Sequence, residues 1–402
     1  MSAAARAGAD KVPFLRTSNV LWDEIDLAVV DAMAIPEYEL TEKCLEPGDL
    51  LVCEGGEIGR AAIWEGGAEP MSFQNHLHRL RPKVDDVDPR FYVYFLQSAF
   101  TQLGIFEGAG NKTTIPNLSS GRLKALDVPH PPLPEQAAIA DALRYVQTVR
   151  RLNARLIAMT EELKAAAMQQ LFSAGLRGTR RRSPRSVRSP SWELRSIPDL
   201  CDISSGGTPK KSVAEYWSGD IPWVSGKDLK RPALEDATDH VSQDGVDNGS
   251  RLAPADSVLL LVRGMGLAKD LPVAVITRPM AFNQDVKALV SKDGYSGSFL
   301  RSAVYAGKDR LLSQLATSAH GTKTLNLNDL SNFVVPTPPT TAEADEIAEV
   351  LETLDRKIDI HRRKGEVLDQ LFKSLLHKLM TGEVSVDDLD LSALPKPEGR
   401  AA

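Results

Sequence analysis

Few residues in this chain have the types and spacing that chemistry requires. Pro198-Asp199, followed by Asp228-Leu229-Lys230, loosely matches the PD-(D/E)-x-K arrangement in which carboxylates hold a divalent ion beside a lysine for phosphodiester hydrolysis. Such triplets arise by chance in chains of this length. His76 and His78 could be two metal ligands, but no third is near them in sequence, and alternate spacing equally suits the exposed face of a strand. Gly264-Met265-Gly266 follows an apolar strand-like run, as a nucleotide loop would. However, Lys269 stands where a third glycine is needed, and Pro272 opens another strand rather than a helix, so a turn between strands fits better. No Asn/Asp-Pro-Pro-aromatic motif and no Walker A loop occurs. Loop residues suited to nucleic acid remain. Asn and Gln can pair bidentately with adenine, and Arg and Lys with guanine. The candidates are Arg16, Asn19, Arg60, Gln74, Asn75, Lys112 and Thr113 in the first half. Their approximate counterparts in the second are Lys227, Lys230, Arg231, Arg263, Lys269, Asn283, Gln284, Lys323 and Thr324. Lys112 and Lys323 lead, because both halves keep Gly-x-Lys-Thr; ordinary surface exposure is the competing reading for every one.

These counterparts exist because the chain repeats itself. Pro131-Pro132-Leu133-Pro134-Glu135-Gln136 with Ile139 and Leu143 answers Pro338-Pro339-Thr340-Thr341-Ala342-Glu343 with Ile347 and Leu351, the Ile and Leu pairs each 208 positions apart. The series continues upstream in the same order: Pro70-Met71 with Pro279-Met280, Asp49 with Asp256, and Val12-Pro13-Phe14 with Ile221-Pro222-Trp223. So long a period excludes a solenoid, whose repeats run about 20–50 residues, and implies a duplicated domain with its helix. Ile203-Ser204-Ser205-Gly206-Gly207-Thr208-Pro209 has no partner in the first copy, which reads as trimmed at its start. Asp228 likewise has no carboxylate counterpart, since Arg16-Thr17-Ser18-Asn19 occupies that place.

Between Ile139 and Phe172 there is neither Pro nor Gly, and Pro134 suits a first helical turn. Val149, Leu152, Leu156, Met159 and Leu163 alternate three and four apart, the spacing of a coiled-coil seam. The second helix starts at a capping box, Thr340-x-x-Glu343, and its seam includes Leu354, Ile358, Leu368, Phe372 and Leu375, interrupted by His361 and Gly365. Gly175 and Gly382 are the expected stops. At 1.5 Å per residue each helix is roughly 60 Å long. Apolar stripes of that length need a partner, and the simplest is the other copy, paired antiparallel. The expected organisation is a domain over 1–132, a helix over 133–176, a basic linker over 177–191, a second domain over 192–339, a helix over 340–382 and an acidic, frayed tail over 383–402. Short strand-like runs such as Leu50–Cys53 and Val258–Val262, together with helical stretches near 91–100 and 299–315, make each domain mixed α/β.

The composition is that of an ordinary soluble chain: 402 residues, 42% hydrophobic and 25% charged. No apolar run spans a membrane, no signal peptide is evident, and the three scattered cysteines suit a reducing cytoplasm. A net charge of −6 argues mildly against indiscriminate nucleic-acid binding without excluding a local basic surface.

Taken with Leu171-Phe172-Ser173-Ala174-Gly175, Tyr216-Trp217-x-Gly219-x-Ile221-Pro222-Trp223 and Leu375-Leu376-His377-Lys378-Leu379-Met380-Thr381-Gly382, these segments resemble the specificity subunit of type I restriction–modification systems over nearly the whole chain. The resemblance implies a prokaryotic, cytoplasmic protein that is not catalytic alone. Its two target-recognition domains would read the halves of a split site on double-stranded DNA. Its helices would space them and dock two methyltransferase subunits, with restriction/translocase subunits completing the complex. This chain would bind no cofactor itself; S-adenosylmethionine, ATP and Mg belong to the partner subunits. The departures are the trimmed first domain and Thr340-Thr341 where the first copy has Leu133-Pro134. The competing class is a coiled-coil adaptor that reads no DNA sequence, which explains the helices but not two divergent domains on one frame. If the helices act as a spacer, inserting one helical turn lengthens the gap between half-sites by about 1.6 base pairs, 5.4 Å over 3.4 Å. Sequencing of DNA methylated by such a mutant checks this, and an unchanged gap contradicts it.

Overall fold

The computed structural model describes residues 11–67, 70–104, 117–176, 192–317 and 321–390. The chain forms two compact units that do not follow chain order: Met1–Ala154 with Arg363–Ala402, and Arg155–Arg362.

In unit 1, β1 (Lys11–Leu15) pairs antiparallel with β2 (Asp31–Ala34). A second sheet is centred on β3 (Leu50–Cys53), flanked antiparallel by β4 (Ala61–Ile63). β5 (Ser72–Phe73) runs parallel to β1, and β6 (Leu77–Leu80) closes the other side of β3. All four residues of β3 are buried, which explains its unbroken apolar run. Helix α1 (Pro89–Thr101) starts where the Asp88 carboxylate accepts the Arg90 N–H, with proline in its first turn. It packs Phe91, Tyr94 and Phe95 on Ile139 and Leu143 of the long helix α2 (Leu133–Ala174). Phe372 and Leu376, from the second long helix, complete the same cluster.

Unit 2 builds the same frame with more strands. In chain order these are β7 (Glu193–Ser196), β8 (Cys201–Ser205), β9 (Ile221–Val224), β10 (Ala233–Leu234), β11 (Asp239–Val241), β12 (Leu252–Ala253), β13 (Val258–Leu261), β14 (Arg263–Gly264), β15 (Val273–Ile276), β16 (Met280–Phe282) and β17 (Val286–Ser291). Helix α3 (Gly297–Ala306), β18 (Ala316–Thr317), β19 (Lys323–Thr324), β20 (Val334–Thr337) and the long helix α4 (Thr341–Thr381) follow. The main sheet has the order β8–β17–β13–β15–β10, beside β11–β9–β16–β12, the small sheet β14–β19–β18 and the ribbon β20–β7. The core places Ile347 and Leu351 of α4 with Phe299, Leu300 and Ala303 of α3 and with Met168 and Phe172 of α2.

The duplication is visible in strand register. Phe14 lies opposite Ser72 in the parallel pair of unit 1, and Trp223 opposite Ala281 in that of unit 2, both residues shifted by 209. The repeated Ile-Ala…Leu motif is the point where each long helix sinks into its own domain: Ile139, Ala140 and Leu143 are buried, as are Ile347, Ala348 and Leu351. Gly175 and Gly382 follow the helices at φ 74° and 71°, a backbone that suits glycine and stops the helix. Among the described residues, unit 1 has no strand corresponding to β8.

Helix segments pair antiparallel within each unit. In unit 1, Arg150 meets Asp369 at 2.6 Å; in unit 2, Glu161 meets Arg362 at 2.6 Å and Lys164 meets Asp355. On α4 the stripe that periodicity marks is turned inward, with Ile358 and Phe372 buried and Leu354, Leu368 and Leu375 half-buried. On α2 the expected seam is overturned. Leu152, Leu156, Met159 and Leu163 are exposed at 56, 45, 56 and 58%, and Val149 is only half-buried. The inward stripe instead runs through Ile139, Leu143, Val146, Asn153, Thr160, Met168 and Phe172. The reason is polar pairing across the seam. Asn153 lies beside Gly365, where a Cβ would stand 3.2 Å from its amide nitrogen, and Lys164 reaches Asp355. Polar residues therefore occupy inward positions that an apolar count passes over. At the start of α4 the capping box forms by half. Thr340 Oγ1 accepts the Glu343 N–H, but the Glu343 carboxylate accepts the Trp192 indole N–H instead of turning back. The stretch after Gly382, expected to fray, packs Val386 into the core of unit 1. The basic linker over 177–191 lies outside the described residues.

The two stripes of α2 separate in a stability measurement. Leu143→Ala lowers unfolding free energy by about 3 kcal/mol, whereas Leu156→Ala changes it by less than about 0.5 kcal/mol. Urea midpoints of the chain alone check this; equal losses would contradict the assignment.

Candidate nucleic-acid interface

In unit 2, several strand ends meet at one rim. After β8 the chain turns through Gly206-Gly207 against the end of β16. A Cβ on Gly206 would stand 2.0 Å from the Phe282 carbonyl oxygen, and one on Gly207 2.3 Å from that of Gly249. The Gly207 N–H donates to the Phe282 carbonyl at 2.9 Å, and the Trp223 indole N–H donates to the Gly207 carbonyl at 3.0 Å. Only glycine fits that approach, which accounts for the Ser-Gly-Gly-Thr-Pro stretch. Thr208 then donates to the Gln284 side-chain oxygen at 2.6 Å, and Lys287 donates to the Ser205 hydroxyl at 2.5 Å. The Arg263 N–H donates to the Asp285 carbonyl at 3.3 Å, and Arg263 lies opposite Thr324 across the β14–β19 pair. The Lys323 ammonium donates to the Thr317 hydroxyl at 2.8 Å.

The rim thus collects Arg263, Gln284, Lys323 and Thr324 from the sequence candidates and adds Thr208 and Lys287, which were missed. The signal for Lys287 was a lysine in an otherwise apolar strand; the signal for Thr208 was the unpaired glycine stretch itself. Arg263 and Lys269 are exposed, and neither has a side-chain partner among the described residues. Lys227 is exposed but holds Asp239 at 2.7 Å. Lys230 and Arg231 lie elsewhere, in a cleft lined by α2 and α4, with Arg231 3.8 Å from Asp359.

Two candidates are structural. Asn283 is buried, and its side-chain oxygen accepts the Asp285 N–H at 3.2 Å. Asn19 is buried in unit 1; it accepts the Arg16 N–H and donates to the carbonyls of Asp26 and Val29, each at 2.9 Å. Both amides stitch turns; that of Asn19 is fully committed, whereas Asn283 commits only its side-chain oxygen. The other unit 1 candidates are partly committed. Arg16 holds Asp31 at 3.0 Å, Arg60 donates to the Thr17 carbonyl at 3.3 Å, and Asn75 accepts from Lys43 at 2.7 Å. Gln74 is half-buried, its N–H donating to the Leu15 carbonyl at 2.9 Å. Lys112 and Thr113 lie outside the described residues.

The nuclease-like carboxylates are also accounted for. Asp228 accepts from the backbone and hydroxyls of both Ser225 and Thr238, at 2.6–3.0 Å. Burial opposes its ionisation, but these hydrogen bonds together hold its pKa below the ordinary carboxylate value. Asp199, the third residue of a short helix, reaches back to its cap, accepting the Ser196 N–H at 3.1 Å and the Ser196 hydroxyl at 2.5 Å. His78 hydrogen-bonds the Leu118 carbonyl at 2.6 Å. Among the described residues, no group of three or more His, Cys, Asp or Glu is placed to hold a metal, and no helix is long and apolar enough to cross a membrane.

A mixed α/β frame used twice, each copy running into a long antiparallel-paired helix, is the architecture of a two-domain recognition protein. The chain belongs to the family described as Type I restriction modification DNA specificity domain, which it matches over residues 9–161 and 190–370. It is 27% identical over 270 residues to the specificity subunit of type I restriction enzyme EcoR124I/EcoR124II of Escherichia coli, covering 66% of this chain and 63% of that relative. It is 22% identical to the type I restriction enzyme MjaVIII specificity subunit of Methanocaldococcus jannaschii, over 90% of this chain and 85% of that one. Among solved structures it is similar to a type I restriction–modification S subunit from M. genitalium, with TM-score 0.59, 17% identity, and 94 and 91% of the two chains covered. A chain from a study of type I R-M complex assembly gives TM-score 0.51 at 18% identity, covering 96% of each. At these identities the structural likeness is one of fold.

Gly206→Ala should force β8 away from β16 and lower stability by about 2 kcal/mol or more. Urea denaturation checks this; a variant as stable as the parent would show that the close approach is not required.

Proposed function

We propose that this chain reads a bipartite site on double-stranded DNA as the non-catalytic specificity subunit of a type I restriction–modification complex. The observation that carries the reading is the duplicated frame. Strand pairs keep one register across both copies, while residues at the rim differ, as where Gln284 of unit 2 is answered by Asn75 of unit 1. A common scaffold with different rims suits two different half-sites. Family membership supports the same reading, as do the names of the relatives.

The exposed apolar residues of the long helices suit the partner subunits. Leu152, Leu156, Met159 and Leu163 on α2, and Ile360, Val367 and Leu371 on α4, stand on outer faces of helices whose inner faces are already packed. Exposed apolar side chains of that kind suit a protein interface. Two methyltransferase subunits would dock there and restriction/translocase subunits would join them. S-adenosylmethionine, ATP and Mg would be bound by those partners, and the complex would act in the cytoplasm of a prokaryote.

Arg263 and Lys323 are the cations of the rim best placed for phosphate. In gel-shift titrations of the chain assembled with its methyltransferase, Arg263→Ala or Lys323→Ala should weaken binding to all sequences and reduce the slope of log affinity against log salt by about one. Unchanged slopes would remove these residues from the interface. An assembled parent complex with no sequence preference would favour the adaptor reading.

A further inference from the structure

Unit 2 contains a cleft of about 1020 Å³ between the paired helices and the recognition domain. That is the size of a small-molecule site. Its walls come from α2, α3, α4 and the loops after β9 and before β15, all within this unit. Six cationic side chains line it against five carboxylates, although the whole chain carries a net charge of −6.

The excess is concentrated in its buried part. Lys164 and Arg301 both bind the single carboxylate of Asp355, Arg301 at 3.0 Å, and all three side chains are at most 13% exposed. Two buried cations on one anion leave a net positive charge away from water, which is costly unless a further anion arrives. Arg301 Nε is also buried with no acceptor. Burial, with Arg301 the next cause, pushes the Lys164 ammonium below the ordinary lysine value despite Asp355. Of the other cations, Lys308 is matched by Asp270 at 2.8 Å, which the Tyr305 hydroxyl also approaches at 2.7 Å, Arg362 by Glu161 and Arg231 by Asp359 at 3.8 Å, while Lys230 is exposed to water. Apolar lining from Met168, Leu271, Pro272 and Ile358 gives room for a non-polar body beside the charge.

We propose that this cleft binds a phosphate group against Lys164 and Arg301. A guanidinium fork beside an ammonium matches tetrahedral oxyanions, and binding would supply the missing negative charge. The phosphate comes either from a free small molecule or from a DNA backbone. This inference rests on unit 2 alone and stands apart from sequence-specific reading at the rim.

The test is thermal unfolding of the full-length chain titrated with inorganic phosphate, with adenosine monophosphate and with a short duplex. Inorganic phosphate should raise the midpoint of the parent, and Lys164→Met should weaken the response about tenfold in phosphate concentration. In phosphate-free buffer Lys164→Met should melt no lower than the parent, because it leaves Arg301 and Asp355 as a balanced pair. A larger response to adenosine monophosphate assigns the site to a small molecule; a duplex that replaces the phosphate response assigns it to backbone. No phosphate response, an equal response in both proteins, or a Lys164→Met variant that melts lower without phosphate would each overturn the proposal.

Discussion

The architecture turns on one kind of contact, the place where a long helix sinks into its own domain beneath the returning half of the other helix. In unit 1, Ile139 and Leu143 share a core with the α1 aromatics and with Phe372 and Leu376 of α4. In unit 2, Ile347 and Leu351 share one with α3 and with Met168 and Phe172 of α2. Each buried aliphatic or aromatic side chain contributes about 1.5–3 kcal/mol. Neither long helix therefore belongs to one domain, and each domain is closed by residues from a distant part of the chain. That constraint explains why the Glu-x-x-x-Ile-Ala-x-x-Leu segment is the most legible part of the repeat: it serves one joint, made twice.

A fixed frame leaves the rim of the recognition domain free to change. The glycines at 206 and 207 bring β8 against β16 so closely that no side chain fits, and this positions Thr208, Gln284 and Lys287 beside Arg263 and Lys323. Rigid backbone below and polar side chains above are what base reading needs, since phosphate contacts set register and base-edge contacts set sequence. The carboxylates that imitate a nuclease motif are instead turn and helix-start acceptors, Asp228 bonded by Ser225 and Thr238 and Asp199 by Ser196.

Much of this was readable in the residues. The duplication, both long helices, their glycine stops and the inward stripe of α4 follow from spacing alone. The stripe of α2 did not, for a physical reason. Apolar periodicity says that a face avoids water, not which neighbour covers it. On α2 the better apolar stripe faces outward, while the inward one carries Asn153 and Lys164, to which α4 presents Gly365 and Asp355, and Thr160, whose hydroxyl bonds its own helix at Leu156. The site was legible only by residue type. Asn19 has the groups that could read a base, but its amide is committed to its own turn, and Asn283 commits its side-chain oxygen to the Asp285 N–H. Arg263 and Gln284 have the same kinds of groups and lie at the rim. Direction depends on tertiary contacts, which type and spacing do not encode.

The central claim is that two different readers act together on one split site. The most direct measurement is methylation mapping across the genome of cells carrying this chain with its methyltransferase subunit. The account predicts one motif made of two dissimilar specific parts separated by a non-specific gap of constant length. A single continuous motif, two parts at variable spacing, or methylation without sequence preference would contradict it.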